Sequence, residues 1–454
     1  MSFRLGICSD ARAGNKVRPA CILAIALCTL VITACASSST KKEIQTQVAD
    51  LRLQVQKLQR DVTAAASTAE TANSKAIAVN ATARNAQIVA DNALAGMQAV
   101  MSAADATNEK IDRQFKRSAP APEVEPNYTT VRVFYATDRD ATGGPDIQYG
   151  TGRSSLTYGV CDVTIPNDHQ LGEVESPKWW RFEFREDPKQ HVVLKRVQKE
   201  EPDQLFSQLK ERVMASSGKN AFVFVHGYNT TFADAAKRTA QITYDLKFEG
   251  APVFYSWPSQ GTVEGYPVDE NNVDWATQDL QSFLTDFIAQ TNADNIFLIA
   301  HSMGSRALTR AFQNLVAADP TVRNRIREVI LAAPDIDTDV FKRDIAPALT
   351  GAPGHRTSVT LYASSRDKAL MLSKRFHGYA RVGDSTKSIL TVQGVDTIDA
   401  SAVDTSFLGH SYFAGTRSVL EDIYALMTSH LRACNRFGMN EVPGGGTTHC
   451  ALEP

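Results

Sequence analysis

The chain has 454 residues, of which 43% are hydrophobic and 22% are charged, with 26 glycines and 18 prolines. This composition is typical of a globular protein of two or three domains and excludes a mainly disordered, collagen-like or multi-pass membrane chain. The formal net charge of −2 gives no electrostatic basis for nucleic-acid binding. Seven cysteines are too few for a disulfide scaffold, and no paired Cys-x-x-Cys motifs indicate zinc. We therefore expect neither a metal nor another cofactor.

Residues 1–34 have the pattern of a secretory signal peptide, because basic residues precede an apolar run that is shorter than the ~20 residues a membrane-spanning helix needs. The run ends in Ile32-Thr33-Ala34-Cys35, which resembles the lipobox of bacterial lipoproteins. The resemblance implies cleavage before Cys35, lipidation of that cysteine and, with Ala36 after it, sorting to the outer membrane. An ordinary signal peptide that contains cysteines is the alternative.

Residues 44–111 carry a seam of apolar positions separated by alternating steps of four and three. A seam that recurs every 3.5 residues predicts a left-handed coiled coil, here over residues 35–117. At 1.5 Å per residue this stalk would be roughly 100 Å long. The twenty seam positions are Ile44, Val48, Leu51, Val55, Leu58, Val62, Ala65, Ala69, Ala72, Ala76, Val79, Ala83, Ala86, Ala90, Ala93, Met97, Val100, Ala104, Thr107 and Ile111.

The lipobox and the alanine-rich seam together resemble the murein lipoprotein family, whose members form parallel trimers. The resemblance covers about residues 35–115 and implies a parallel homo-oligomer, with a trimer favoured. It ends there, because the family finishes in a lysine bonded to peptidoglycan whereas this chain continues for over 300 residues. A single amphipathic helix lying on a surface is the alternative.

Three prolines in residues 118–127 predict an extended linker. The pattern of residues 128–433 predicts an α/β fold with a mostly parallel sheet covered by helices. Strands are predicted at 131–136, 156–165, 181–184, 192–197, 221–225, 252–257, 295–300, 328–332, 358–363 and 388–395. Helices are predicted at 233–247, 272–290, 305–316 and 417–431.

An apolar strand leads into Ser302, and a predicted helix follows it. The segment Ala300-His301-Ser302-Met303-Gly304 resembles the Gly-x-Ser-x-Gly nucleophile elbow of α/β-hydrolases, with alanine at the first position. Such a turn needs small residues two before and two after the serine, and Ala300 and Gly304 meet that need. The resemblance makes Ser302 the nucleophile. A tight turn with a solvated serine is the alternative.

A second apolar strand, residues 222–225, ends in His226-Gly227. In α/β-hydrolases the loop at this position supplies one amide of the oxyanion hole, so the resemblance assigns the two donors to Tyr228 and Met303. It also makes His226 a residue that shapes the loop. The alternative is that His226 acts as a general base.

The triad of this fold follows the order Ser, acid, His along the chain. Asp367 follows the strand predicted at 358–363, where the family usually places its acid, and Asp335 after the preceding strand is the alternative. His410 lies in a predicted loop beyond the last strand and is the predicted base. His377 comes too early, while His430 and His449 fall within or after the last helix.

Longer stretches, at 131–139, 156–160, 223–229, 254–259 and 300–304, resemble an uncharacterised bacterial α/β-hydrolase family over roughly residues 128–433. At the end of a predicted strand, Trp257 is expected to line the acyl or alcohol pocket, and packing beneath the helices is the alternative.

Three cysteines follow the stalk. Cys161 lies mid-strand and is predicted to be a buried free thiol. Cys434 and Cys450 bracket a glycine-rich stretch within a predicted tail, residues 434–454, and are expected to pair in an oxidising periplasm.

The predicted function is a lipid-anchored serine hydrolase that faces the periplasm and cleaves carboxylic esters, as an esterase or lipase. Its expected partners are a small-molecule or lipid ester, the membrane and further copies of the chain, without nucleic acid. Amide hydrolysis uses the same triad and stays open. The alternative class is an envelope tether whose hydrolase-like body binds a partner without turnover.

Overall fold

The computed structural model divides into two units, Met1–Pro122 and Glu123–Pro454. In the second it describes residues 127–142, 148–178, 183, 185–351, 356–403, 415–443 and 448–454. Cys35, the predicted signal peptide, the predicted seam and His410 lie outside the described residues. Within the part of the chain that is described, no helix has the length and apolar character needed to cross a membrane.

Eight residues of the first unit are described, and all are helical and exposed. None of them is a position of the predicted seam, and Gln54 Nε2 donates to Asp50 Oδ2 over one helical turn (2.9 Å). The eight are Thr46, Ala49, Asp50, Leu53, Gln54, Gln56, Lys57 and Arg60.

The described strands of the second unit form one sheet in the order β10-β11-β9-β8-β7-β6-β4-β5-β1-β2-β3. Neighbouring strands from β11 to β1 pair in parallel, whereas β2, β3 and β10 are joined by antiparallel pairing. The strands are β1 Tyr128–Thr142, β2 Gln148–Pro166, β3 Val193–Glu200, β4 Asn220–Val225, β5 Gly250–Ser256, β6 Asn295–His301, β7 Ile326–Ala332, β8 Ser358–Ala363, β9 Val395–Asp399, β10 Met439–Pro443 and β11 Thr448–Leu452.

Helices cover both faces of this sheet. The longer ones are α1 Pro202–Met214, α2 Phe232–Asp245, α3 Tyr266–Trp275, α4 Thr277–Gln290, α5 Gly304–Ala318, α6 Lys368–His377 and α7 Arg417–Ser429. Short helical segments are Val263–Gly265, Pro320–Asn324, Thr338–Val340, Phe341–Ile345, Ala346–Thr350 and Ala433–Asn435.

The core lies in two layers, because alternate residues of each central strand point to opposite faces. In β4, Val223 belongs to the layer under α1, α3, α4 and α5, whereas Phe222 and Phe224 belong to the layer under α2 and α7. Burial on both faces explains why the central strands are continuous apolar runs rather than alternating ones.

The prediction of an α/β fold with a mostly parallel sheet is confirmed, and eight of the predicted strands correspond to β1–β8. The strand predicted at 388–395 is wrong, since the strand begins only at Val395, after a turn at Gly394 with φ +86°. Leu390 in that run packs into the core from an irregular segment. Its apolar character therefore reflects burial rather than strand pairing.

Other elements also differ from prediction. The helix predicted at 272–290 is two helices, α3 and α4, which Ala276 separates. Of the strand predicted at 181–184, the structure describes only residue 183, which is not in a strand. Helices α1 and α6 and the hairpin β10–β11 are not predicted.

Within residues 434–454, predicted as a tail, the structure describes two strands of the sheet, β10 and β11. Strand β11 pairs in parallel with β9, and β10 pairs with β11 at the sheet edge. A disulfide joins Cys434, beside α7, to Cys450 in β11. Cys161 is a buried free thiol, as predicted, and burial raises its pKa.

The outermost strands of the described sheet are β3 and β10. Strand β3 carries three cationic side chains, Lys195, Arg196 and Lys199, and β10 ends at Pro443. Charge and proline are two features that discourage an edge strand from pairing with another chain.

Candidate active site

The predicted catalytic segments meet where the strand order reverses. From β4 the chain passes to its neighbour β5 and then returns to β6 on the other side of β4. In open α/β sheets, ligands bind outside the carboxyl ends of the strands at such a switch point. Strand β4 ends at Val225 and β6 ends at His301, so the loop that begins at His226 and the turn that contains Ser302 lie side by side.

Ser302 occupies the sharp turn between β6 and α5. Its φ of +51° is in the left-handed region, which costs a non-glycine residue roughly 1–3 kcal/mol. Three backbone hydrogen bonds hold the turn, since Ser302 N donates to Ala332 O (2.9 Å) and its carbonyl accepts from Asp335 N (3.2 Å) and Ser305 N (3.1 Å). A strained serine between a strand and a helix is the geometry of a nucleophile elbow.

The loop after β4 touches this turn through two glycines. A Cβ at Gly227 would lie 3.0 Å from Ser302 Cβ, and a Cβ at Gly304 would lie only 2.3 Å from His226 O. Only hydrogen fits at either position. Met303, the residue before α5, is fully buried in the same contact, so the assigned oxyanion donors, Tyr228 and Met303, belong to segments in direct contact.

His226 supports the loop from beneath. Its Nδ1 lies 2.8 Å from Gly227 O, and its Nε2 lies 3.2 Å from Ser256 Oγ. Burial, followed by the positive charge of Arg139, holds its pKa well below the usual value. The ring is therefore neutral, with Nδ1–H donating and Nε2 accepting. Both nitrogens are engaged, which argues against His226 as a general base.

Trp257 also lies beneath the loop. Its indole Nε1 donates to His226 O (2.8 Å), and its ring stacks on the imidazole at a centroid distance of 5.0 Å. The side chain is fully buried. This placement corrects the expectation that Trp257 lines a substrate pocket, because the residue just after β5 packs under the catalytic loop instead of facing the crevice.

Arg139 of β1, which was not predicted as a functional residue, links the loop after β4 to the loop after β5. Its guanidinium is buried, and burial lowers its pKa to about 10, so it stays charged at neutral pH. Its nitrogens contact three separate segments of the chain. The partners are Ser256 Oγ (2.8 Å), Gly150 O (2.9 Å), Ser259 O (3.0 Å), Thr230 O (2.8 Å) and His226 Nε2 (3.4 Å).

Asp367 follows β8 and caps α6. Its buried carboxylate accepts from Leu370 N (2.9 Å) through Oδ1. Burial raises the pKa of the Tyr228 phenol, and the carboxylates of Asp367 and Asp335 raise it further. Both candidate acids therefore lie close to the loop that carries the assigned oxyanion donor.

Asp335 differs from Asp367 in its partners. Its carboxylate accepts hydrogen bonds from Tyr266 Oη (2.6 Å), Ser373 Oγ (2.6 Å) and Arg306 Nη2 (3.0 Å). It also forms an ion pair with Arg381, whose Nε lies 3.1 Å away and donates to Ser373 Oγ. Burial favours a higher pKa, but the two arginines and the hydroxyls outweigh it and hold the pKa below its usual range. Both carboxylate oxygens are therefore engaged by donors and cations, so Asp335 fits a structural role.

Among the histidines, His410 lies outside the described residues, so the grouping of Ser302, Asp367 and His410 into a triad stays a prediction. His377 on α6 is engaged elsewhere, with Nε2 2.6 Å from Glu270 Oε1 and Nδ1 2.8 Å from Ser373 O. Within the described part of the chain, no three His, Cys, Asp or Glu side chains cluster in a way that could hold a metal ion.

A family model described as "alpha/beta hydrolase of unknown function (DUF900)" matches residues 201–429, half of the chain. The chain belongs to this family. A second model, "alanine-zipper, major outer membrane lipoprotein", matches residues 42–119. The predicted combination of an α/β-hydrolase with a murein-lipoprotein-like coiled-coil region is therefore confirmed, and the second match relates the N-terminal region to envelope lipoproteins.

The relatives whose names state an activity are distant from this chain. The chain is 27% identical over 117 residues to "putative esterase/lipase 2" of Mycoplasma genitalium, which covers 26% of this chain and 38% of that protein. The chain thus spans well under half the length of this curated relative. A predicted CIB-like hydrolase from Thermoplasma acidophilum is similar in structure, with 16% identity, a TM-score of 0.27 and coverage of 48% of this chain and 87% of that one. An esterase B from Lactobacillus rhamnosis gives 11% identity, a TM-score of 0.27 and coverage of 74% and 95%.

Proposed function

We propose that the protein is a membrane-anchored serine hydrolase that cleaves carboxylic esters through Ser302, Asp367 and His410. The strained turn at Ser302, in contact with the Gly227 loop, is the observation that carries this proposal. It presents a serine at the carboxyl edge of the sheet, beside backbone N–H groups from two different segments. That combination suits acyl transfer.

In the proposed mechanism, His410 takes the proton from the Ser302 hydroxyl as its oxygen attacks the ester carbonyl carbon. The N–H groups of Tyr228 and Met303 stabilise the oxyanion that forms, an effect worth several kcal/mol in related chemistry. The imidazolium then protonates the departing alcohol, leaving an acyl group on Ser302. Water, activated by the same imidazole, releases the acid. Asp367 orients the imidazole and stabilises its charged form.

A fluorophosphonate probe tests the nucleophile, because it reacts with activated serines. We expect the wild-type protein to be labelled and Ser302→Ala to lose labelling. Ser305→Ala is the matched control, since this buried serine lies three residues away and its hydroxyl has no hydrogen-bond partner among the described residues. It should label like the wild type. Absence of labelling in well-folded wild-type protein would contradict the proposal and favour the non-catalytic tether.

The choice of acid is tested by comparing Asp367→Asn with Asp335→Asn. Removing the triad acid lowers kcat by up to about 10⁴-fold in related enzymes, so we expect a comparable loss in Asp367→Asn with little loss of stability. Asp335→Asn should instead destabilise the fold by about 3–5 kcal/mol, because it leaves Arg306 and Arg381 without their buried counter-charge. The reverse pattern, measured by ester kinetics and thermal unfolding, would assign the acid to Asp335.

The membrane anchor belongs to the same proposal. Lipidation of Cys35 would attach the chain to the outer membrane facing the periplasm, and residues 42–119 would form a parallel homo-oligomer, with a trimer favoured. The alanine-zipper match supports the oligomer. Cys35→Ser should abolish incorporation of labelled palmitate and release the protein from membranes. A monomeric mass for residues 36–117 would refute the coiled coil.

A further inference from the structure

Three segments beside the candidate site are tied together by a polar network. They are residues 263–270, 338–340 and 376–379. Glu270 Oε1 on the first segment lies 2.6 Å from His377 Nε2 on the third. Thr338 N on the second donates to Ala380 O (3.0 Å), just after the third. The Tyr266 hydroxyl on the first segment donates a hydrogen bond to Asp335 Oδ2. Such cross-links fix the positions of these segments relative to one another.

These segments carry several exposed apolar side chains, alongside exposed Glu264 and Asp339. Twelve large hydrophobic side chains are exposed in the described part of the chain, and five of them lie on these three short segments. Single exposed apolar residues are ordinary, but a concentration of them marks a surface that meets an apolar partner. We call the five the apolar rim, and they are Val263, Val268, Val340, Phe376 and Tyr379.

Aromatic rings connect this rim to the candidate site. The ring of Phe376, which is 73% exposed, stacks on Tyr266 at a centroid distance of 6.3 Å. Tyr266 in turn contacts the ring of Tyr228 edge-on at 5.2 Å. Tyr228 carries one of the N–H groups assigned to the oxyanion. A chain of ring contacts therefore connects the residue assigned an oxyanion N–H to the exposed Phe376.

We propose that the apolar rim binds the hydrocarbon chain of the substrate's acyl group, so that the enzyme prefers esters of medium or long fatty acids over short ones. This inference rests on the proposed esterase function. A short acyl group would end near Tyr228, whereas a longer chain would extend over Tyr266 to Phe376 and remove both surfaces from water. Burial of apolar surface of that kind is favourable.

The test compares hydrolysis of p-nitrophenyl decanoate and butyrate, below the concentrations at which they form micelles, by the full-length protein. Phe376→Ala should lower kcat/KM for decanoate about tenfold more than for butyrate, and Phe376→Leu should keep most of the wild-type ratio. Phe437→Ala is the matched control, because Phe437 is 94% exposed and lies outside the three segments. It should leave both values within twofold of wild type.

An unchanged decanoate-to-butyrate ratio in an active Phe376→Ala enzyme would overturn the rim proposal and leave the esterase proposal standing. An equal drop in the ratio for Phe437→Ala would also overturn it, since general surface hydrophobicity would then explain the effect. Folded wild-type protein that hydrolyses no ester of any length would instead overturn the esterase proposal. Thermal unfolding of each variant separates these results from loss of the fold.

Discussion

The contact between Gly227 and the serine turn makes a strong prediction for Gly227→Ala. The added Cβ would lie 2.9 Å from His301 Nδ1, 3.0 Å from Ser302 Cβ and 3.2 Å from His301 O. Favourable contacts between carbon atoms are about 3.5–4.0 Å. The loop after β4 and the serine turn must therefore separate by roughly 0.5–1 Å. Backbone hydrogen bonds to Ala332 and Asp335 hold the turn in place, so the loop has to make most of this shift.

A shift of this size should affect the transition state more than substrate binding. A misplacement of about 1 Å can cost 10²-fold in rate, and loss of one oxyanion donor costs about 10²–10³-fold in kcat. We expect kcat to fall about 100-fold in Gly227→Ala, with KM within about threefold of wild type. The overpacked contact should also cost about 1–3 kcal/mol of stability.

Steady-state hydrolysis of p-nitrophenyl butyrate and the rate of fluorophosphonate labelling would measure this effect. Gly415→Ala is the control, because the nearest atom of the described residues to its added Cβ is Gly172 O at 3.9 Å, and it should behave like wild type. If Gly227→Ala kept more than a third of the wild-type kcat and its melting temperature, the loop and the serine turn could not be packed as described.

Three further predictions follow from the described contacts. Arg139→Met should lower kcat about 10- to 100-fold and the free energy of unfolding by about 2–4 kcal/mol, because it leaves the buried loop carbonyls without donors. Wild-type kinetics and stability in this variant would show that Arg139 does not position the loops. Burial raises the pKa of Asp138 to about 7, above the value of about 3.9 in an unfolded chain. Between about pH 4 and 7 the folded state therefore keeps a proton that the unfolded chain loses, so the stability of the wild type falls as the pH rises. Asn cannot titrate, so the melting temperature of Asp138→Asn relative to that of wild type should rise over this pH range. A melting-temperature difference that does not change with pH would contradict this prediction. Replacing Cys434 and Cys450 together by serine should lower the free energy of unfolding by about 3 kcal/mol, which unfolding with and without reductant would measure. The rates of ester hydrolysis should stay within twofold of wild type.

Local requirements explain why much of the fold was predictable. Strands β4 and β6 are buried on both faces, so their apolar runs identify them without knowledge of their neighbours. The turn at Ser302 needs small residues at fixed spacing, and Gly304 meets that need through its close approach to His226 O. Features that depend on a few consecutive residues can be read from the sequence.

Features that depend on distant partners could not be predicted. Strand β11 is short, and its place depends on β9 and on the disulfide to Cys434. Arg139 gains its significance from acceptors that three separated segments contribute. Likewise, Asp335 and Asp367 both follow a strand in the sequence, and the three hydrogen bonds and two arginine ion pairs of Asp335 depend on residues far away in the chain.

The chemistry of the two sheet edges matters if the N-terminal region holds several copies of the chain together, as we propose. If the N-terminal regions oligomerise as we propose, the attached hydrolase domains would be confined at effective concentrations near the millimolar range. Under such crowding, bare strand edges would join neighbouring sheets into fibres. Mutual repulsion between the lysines and arginine of β3, and the missing amide hydrogen of Pro443 on β10, would keep each domain folded as a separate body.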